Sequence, residues 1–306
     1  MNPAIDGAAE TEKVRPIHKV RTWGERYDPG GGGINAARVI QELGGVAFAI
    51  YLSGGTTGPL LDGLVRAAGI ESRRVPIADH TRISHTVHER SSNLEFRFVP
   101  EGPVVALDEW QACLAALEEI DCEYLIASGS LPRGVPANFY VAVSRLAARK
   151  GIKLVLDTSG DALREATAHG VYLIKPSLGE LEDLVGEKLT APAEQESAVR
   201  RLIASGAAEI IALTLGRDGA LLATRDGLHR LPGLKVTPKS AVGAGDSFLA
   251  AMTLGLAQGR SPEDAFALAV AAGTAAVLTM GTELCRRDDV ERIYREIKSD
   301  GSKATT

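Results

Sequence analysis

At 306 residues, 45% of them apolar and 24% charged, the chain can bury one large α/β domain or two ordinary ones. Its formal net charge of −5 argues against bulk binding to nucleic acid or anionic membranes, and leaves room for a local basic pocket. Cys113, Cys122 and Cys285 are few, odd in number and not spaced C-x-x-C, which fits a reduced cytoplasmic protein without a zinc site. The start shows no charged-then-apolar signal pattern, and the longest apolar run, Ala265 to Met280, is too short to cross a bilayer.

In chain order, Asn2 to Asp6 reads as apolar and turn-like, and a polar stretch with weak edge-strand character follows to about Asp28. The turn Gly30 to Gly33 leads into a helix through Ala37, Val39, Ile40 and Leu43; its glycines let backbone approach a ligand, and Asn35 can bond a hydroxyl. A mobile turn is the plain alternative. Val46–Leu52 reads as a buried strand and Pro59–Ala68 as a helix. Segments around Ile83–Glu89 and Leu94–Val99 alternate about Ser91-Ser92-Asn93, a hairpin signature.

Beyond Leu107 helices and strands alternate. Strands are predicted at Tyr124–Ala127, Lys153–Asp157, Tyr172–Lys175 and Glu209–Leu215, and a short antiparallel pair at Gly219–Ala223 and Leu228–Leu231. Helices are predicted at Asp108–Glu119, Asn138–Lys150, Leu178–Val185, Glu194–Ala204, Asp246–Gln258, Pro262–Met280 and Asp288–Ile297. This order implies an α/β fold: a doubly wound, mostly parallel sheet between helices, with a small β-rich excursion from two separated segments.

The chain is organised around Lys239 to Phe248, a glycine-permitted loop running into an apolar helix. Gly243, Ala244 and Gly245 put little side chain before the free N–H groups of that helix start, which makes a concave site for a phosphate. Asp246 would compete with an anion there unless it takes a proton from a nucleophile; alternatively it is an N-cap. Ser128-Gly129-Ser130 and Lys175 to Glu180 follow predicted strands, where open α/β sheets place ligands. Glu180 suits either a metal–phosphate cluster or the dipole of its own helix, and Thr214 to Gly219 makes a strand-end turn open to a nucleotide.

Taken in order, Pro29–Asn35, Thr81-Arg82, Phe96–Val99, Ser128–Pro132, Lys175-Pro176, Val242–Ser247 and Gly281-Thr282 resemble the PfkB (ribokinase-like) carbohydrate kinases over essentially the whole chain. The resemblance implies one ribokinase-like domain over 1–306, with lid segments at about 10–28 and 81–99. It implies ATP-dependent phosphorylation of fructose 6-phosphate at the C1 hydroxyl, with Asp246 as base and Gly243, Ala244 and Gly245 as anion hole. Asp6, Gly30, Gly31 and Asn35 match residues holding the sugar hydroxyls, and Lys19, Arg82 and Ser130 those near its phosphate. Lys175, Ser177, Thr214, Gly216, Gly219 and Gly273 fall on the ATP side, and Glu180 at Mg2+; K+ is a further implied ion. A cytoplasmic homodimer joined through the lid is expected, without nucleic-acid or membrane partners. The alternatives are a kinase acting on fructose 1-phosphate or tagatose 6-phosphate and, in a different class, a non-catalytic sugar-phosphate sensor.

Three departures stand out. Ser177 replaces the family's usual Asn, and Ala241 its common Thr or Ser. The chain starts at Met1-Asn2-Pro3, where relatives carry a further central strand of about six residues, so an extended version is expected to be more stable.

Overall fold

The structure, a computed structural model, describes residues 1–303. Its largest sheet has six strands in the order β12-β11-β10-β9-β8-β7. Here β7 (Tyr124–Ser128), β8 (Lys153–Asp157), β9 (Val171–Ile174) and β10 (Ala208–Thr214) run parallel, and β11 (Ala220–Ala223) and β12 (Leu228–Leu231) add an antiparallel edge. The strands are apolar without alternation because both faces are covered. Leu154, Leu156, Ile211 and Leu213 enter one core. Val155, Ile210 and Ala212, one residue out of phase, enter the opposite one.

On the first face lie α3 (Leu107–Glu118), α4 (Phe139–Lys150), α5 (Gly160–Thr167), α6 (Leu178–Val185) and α7 (Pro192–Ala204). The other face carries α1 (Gly32–Glu42), α8 (Ala244–Ala257), α9 (Pro262–Ala276) and α10 (Arg287–Lys303). Helices α8 and α9 are apolar nearly all round because each is buried on nearly all sides. A parallel pair, β3 (Phe48–Gly54) and β4 (Glu71–Ile77), stands as its own two-stranded sheet beside α2 (Gly58–Ala67). Thus β3 and β4 stand apart from the six-stranded sheet where the sequence predicts one sheet. Strand β4 escapes sequence reading because its exposed residues are charged and it carries Pro76, both usual for an edge.

The third sheet is the β-rich excursion, in the order β2-β1-β5-β6. It joins β1 (Ala4–Thr11), β2 (Trp23–Gly30), β5 (Arg82–Glu89) and β6 (Leu94–Phe98). Residues 4–6, predicted as a turn, open β1, which is held by pairing on both sides: antiparallel to β2 and parallel to β5. Residues 12–22 carry no strand, and Ile17 stands fully exposed with φ +68°. Register sets the faces. Asp28, Asp6 and Ser84 lie side by side across three strands, as do Arg26, Ala8, Thr86 and Arg97 across four. On the opposite face Tyr27, Gly7, His85 and Phe98 form one row.

Candidate active site

Strand ends, the start of α1 and the start of α8 converge beneath the four-stranded sheet. Gly243 is the N-cap of α8, in the left-handed region with φ +73°, and the first helical bond runs from Ser247 N–H to its carbonyl at 2.8 Å. The N–H groups of Ala244, Gly245 and Asp246 therefore precede the helical ladder, at the positive end of the dipole. Asp246 does not cap this helix: its Oδ2 accepts from Asn35 Nδ2 of α1 at 2.8 Å. The capping alternative falls on that contact. Gly32 is equally constrained, since a Cβ there would lie 2.0 Å from Ser128 Oγ and 3.1 Å from Asp246 Oδ1.

A cavity of about 150 Å³ opens above Asp246, with Asp6, Asn35, Arg82, Ser84 and Arg97 in its walls and Gly31, Gly243 and Thr282 at its base. Gly30 is a close-approach position: a Cβ on it would lie 1.9 Å from the Asp6 carboxylate. Burial pushes Asp6 up to about 6, against the pull of Arg82, while the Asp246 charge adds to the rise. Arg82 spends Nη1 on the Pro100 carbonyl and Nη2 on that of Asn2, at 3.0 and 2.7 Å. Its buried Nε has no partner among the described residues. A cationic wall with an unpaired donor fits an anionic group on the ligand. Ser130 is not among the cavity's lining residues; it accepts from Asn2 Nδ2 at 3.2 Å, and the Asn2 carbonyl accepts from Arg82.

Beyond the anion-hole turn lies a second polar region. Lys175, 7% exposed, pairs with Asp157 at 3.2 Å, and a Cβ on Gly245 would lie 3.4 Å from its Nζ. Burial pushes Asp157 up to about 6; Lys175 opposes the shift, while Asp246 and Glu180 reinforce it. Ser177 and Glu180 form a capping box on α6: Ser177 N–H donates to Glu180 Oε2 at 2.7 Å and Glu180 N–H to the Ser177 hydroxyl at 3.4 Å, while that hydroxyl also donates to Glu180 Oε2 at 2.9 Å. Thr214 N–H donates to Pro176 at 2.9 Å, joining the ends of β9 and β10 into a shelf.

Not every predicted site residue reaches these regions. Lys19 is exposed in the 12–22 segment and lines no part of the cavity; Arg97 of β6 supplies the second cation instead. Gly219 serves packing, since its φ is +101° and a Cβ would lie 2.1 Å from the Leu231 carbonyl. Gly273 likewise lets α9 pass Ala244 and Phe248 of α8. Gly216, with φ +59° and open space around it, does face outward at the shelf. Sequence reading gives Asp157, Ser128 and Arg97 no individual role, although Ser128 opens a turn it singles out and Arg97 lies within the Phe96–Val99 motif. Asp157 ends one predicted strand and Ser128 directly follows another, a signal present in the sequence, whereas Arg97 needs the β5–β6 register to be placed. A larger hollow of about 520 Å³, lined by Arg200, Ser205 and Arg225, lies at the opposite, N-terminal edge of β10 and holds none of these groups.

The donor set suits a metal carried by phosphates better than a resident ion. No group of three or more His, Cys, Asp or Glu gathers at metal distance among the described residues. Mg2+ needs only one or two carboxylates beside substrate phosphates, and Asp157 and Glu180 are neighbouring carboxylates at this shelf. No helix among the described residues is long and apolar enough to cross a membrane.

Free helix amides, a carboxylate held beside them and a cationic cavity above define a phosphoryl-transfer site on an α/β scaffold. The chain belongs to the pfkB family of carbohydrate kinases, whose family model matches residues 4–289. It is 45% identical over 296 residues to ATP-dependent 6-phosphofructokinase isozyme 2 of Mycobacterium tuberculosis, covering 96% of this chain and 87% of the relative. Identity to the Escherichia coli protein of the same name is 38%, covering 95% of each. The structure of Escherichia coli phosphofructokinase-2 in complex with potassium superposes with a TM-score of 0.94, covering 97% of both chains. The fold is ribokinase-like, and the chain is an ATP-dependent sugar-phosphate kinase by family.

Proposed function

We propose that the protein transfers the γ-phosphoryl group of ATP to the C1 hydroxyl of fructose 6-phosphate, giving fructose 1,6-bisphosphate and ADP. The observation that carries this reading is the Asn35–Asp246 contact, which holds a carboxylate between the cavity and the free amides of α8. The sugar lies in the cavity with its hydroxyls on Asp6, Asn35 and the Gly30-Gly31 backbone, and its phosphate on Arg82, Arg97 and Ser130. Asp246 takes the C1 proton as that oxygen bonds to the γ-phosphorus, and the bond to the β–γ bridging oxygen breaks. The N–H groups of Gly243, Ala244 and Gly245 stabilise the charge on the transferring group. Lys175, Thr214 and Gly216 line the ATP side. Asp157 and Glu180 would hold Mg2+ beside the ATP phosphates, where the ion would neutralise phosphate charge. K+ enters as a second ion on the strength of the Escherichia coli complex. A sugar-phosphate sensor would need neither the carboxylate nor the free amides.

The four-stranded sheet is read as a lid over the sugar, built with segments 10–28 and 81–99 of a single domain. Its outer face leaves Tyr27 43% and Phe98 57% exposed, apolar surface that suits a second copy of the chain in a homodimer. The three cysteines are unpaired, in keeping with a reducing cytoplasm. The test is ADP release with fructose 6-phosphate, with the product identified by aldolase cleavage. Release of ADP and an aldolase-cleavable product is expected; binding of the sugar without ADP release would overturn the reading.

A further inference from the structure

The four-stranded sheet is pinned at both edges to the loops around the start of α8. On the β2 edge Arg26 Nη1 reaches Glu283 at 2.8 Å, and Asp28 accepts from the Thr282 hydroxyl. On the β6 edge the Ser240 hydroxyl donates to Glu95 Oε2 at 2.9 Å. Ser240 is 4% exposed and lies just ahead of the Gly243 cap. Its oxygen also accepts the Val242 N–H at 3.2 Å. A continuous chain therefore runs from the loop backbone, through one hydroxyl, to a carboxylate on the sheet. Donating to a carboxylate makes the hydroxyl oxygen a better acceptor, so each bond strengthens the other. The competing acceptor, the Gly281 carbonyl, is neutral and farther away, at 3.3 Å.

Glu95 does not line the cavity, whereas Arg97, two residues along the same face, does. A role for Glu95 must therefore pass through Ser240. We propose that Glu95 is a positioning residue: through Ser240 it sets the loop that presents the Ala244 and Gly245 amides, so the anion hole is in place when the sheet is seated over the sugar. This rests on the reading of that loop as the phosphoryl site. Misplaced amides weaken the transition state more than either ground-state complex, so the effect belongs in kcat.

The test compares Glu95→Ala, Glu95→Gln and Ser240→Ala in the full chain. Glu95→Ala is expected to lower kcat about tenfold, the low end for a hydrogen bond to a charged group, because the freed hydroxyl still reaches Gly281. KM for ATP and for fructose 6-phosphate should move less than about threefold. Glu95→Gln keeps an acceptor and should recover most of the loss, and the Glu95→Ala/Ser240→Ala double variant should be no worse than either single one. Hydrogen exchange in the substrate-free protein provides an arm independent of turnover. Amides of residues 240–246 should exchange faster in Glu95→Ala than in the parent or Glu95→Gln. Unchanged kcat and unchanged exchange in Glu95→Ala, or losses that multiply in the double variant, would overturn the proposal. If the parent releases no ADP with fructose 6-phosphate, the substrate reading fails and exchange alone decides: acceleration in Glu95→Ala upholds the coupling, and none overturns it. Should Glu95→Ala not fold, Ser240→Ala against Ser240→Thr makes the same comparison.

Discussion

Asn35 Nδ2 donates to Asp246 Oδ2 across 2.8 Å, and this one bond ties the start of α1 to the start of α8. It fixes the carboxylate by one oxygen and leaves Oδ1 toward Gly32, where the absence of a side chain keeps the approach open. A group held in this way is oriented before substrate arrives, which is what a general base requires.

Replacing Asp246 by Asn keeps the size and the contact region but removes the proton acceptor. Turnover is expected to fall by ~10²–10⁴-fold, with the dissociation constant for fructose 6-phosphate changed only a few-fold. Parallel ADP-release kinetics and calorimetric titration of the sugar check this. Activity within a few-fold of the parent would reduce Asp246 to a helix-start residue.

Arg82 carries the unpaired buried Nε and two bonds to backbone carbonyls. Arg82→Ala should raise KM for fructose 6-phosphate by about 10- to 100-fold, the equivalent of a lost charge-assisted hydrogen bond, and leave KM for ATP nearly unchanged. Equal increases in both constants would move Arg82 from the sugar phosphate to the framework.

Asp6 links the site to stability. Burial raises it from the ordinary 3.8 to about 6 in spite of Arg82, so between those values the folded chain holds the proton more tightly than the unfolded one. The sign is therefore unfavourable: ionised Asp6 costs nothing below the unfolded value and its full cost above the folded one. Asp6→Asn should gain stability over the parent as pH rises from about 4 to about 7, by on the order of 2 kcal/mol. Urea unfolding of both proteins across that range measures it, and a difference flat with pH would place the Asp6 carboxyl at its ordinary value.

Much of this was legible in the sequence because local chemistry and ligand chemistry coincide there. The loop at Gly243 to Asp246 carries its own signal, glycines before an apolar helix with one carboxylate, and the structure puts those amides where the pattern predicts. The strands β7 to β10 were legible for a simpler reason, since burial on both faces leaves an unbroken apolar run. What stayed hidden depends on pairing. Strand β1 has little β-forming composition and takes its shape from β2 and β5, while Arg97 reaches the cavity only through its register with Thr86. Lys19, matched to the sugar phosphate by the family resemblance, lies exposed in a segment that pairs with no strand, so no register in this chain directs it toward the cavity.

The outer row of Tyr27, His85 and Phe98 predicts the assembly. Sedimentation of the parent at micromolar concentration should show a dimer, and Phe98→Glu should shift it to monomer by burying an unpaired charge in the contact. A parent that sediments as a fully active monomer would remove the lid-to-lid contact from the account.

In the proposed function this cavity pairs with a sugar whose phosphate lies away from the reacting hydroxyl. The two cavity arginines, Arg82 and Arg97, belong to the sheet, whereas the Gly32 position beside Asp246 has no room for a side chain unless Ser128 moves. The cavity's cations therefore sit on the sheet and none stands at Gly32, which suits a phosphate on C6 and a free hydroxyl on C1. The decisive measurement is kcat/KM for fructose 6-phosphate, fructose 1-phosphate and tagatose 6-phosphate under one set of conditions. Fructose 6-phosphate should lead by at least about tenfold, the value of one charge-assisted hydrogen bond. A preference for fructose 1-phosphate would contradict the account.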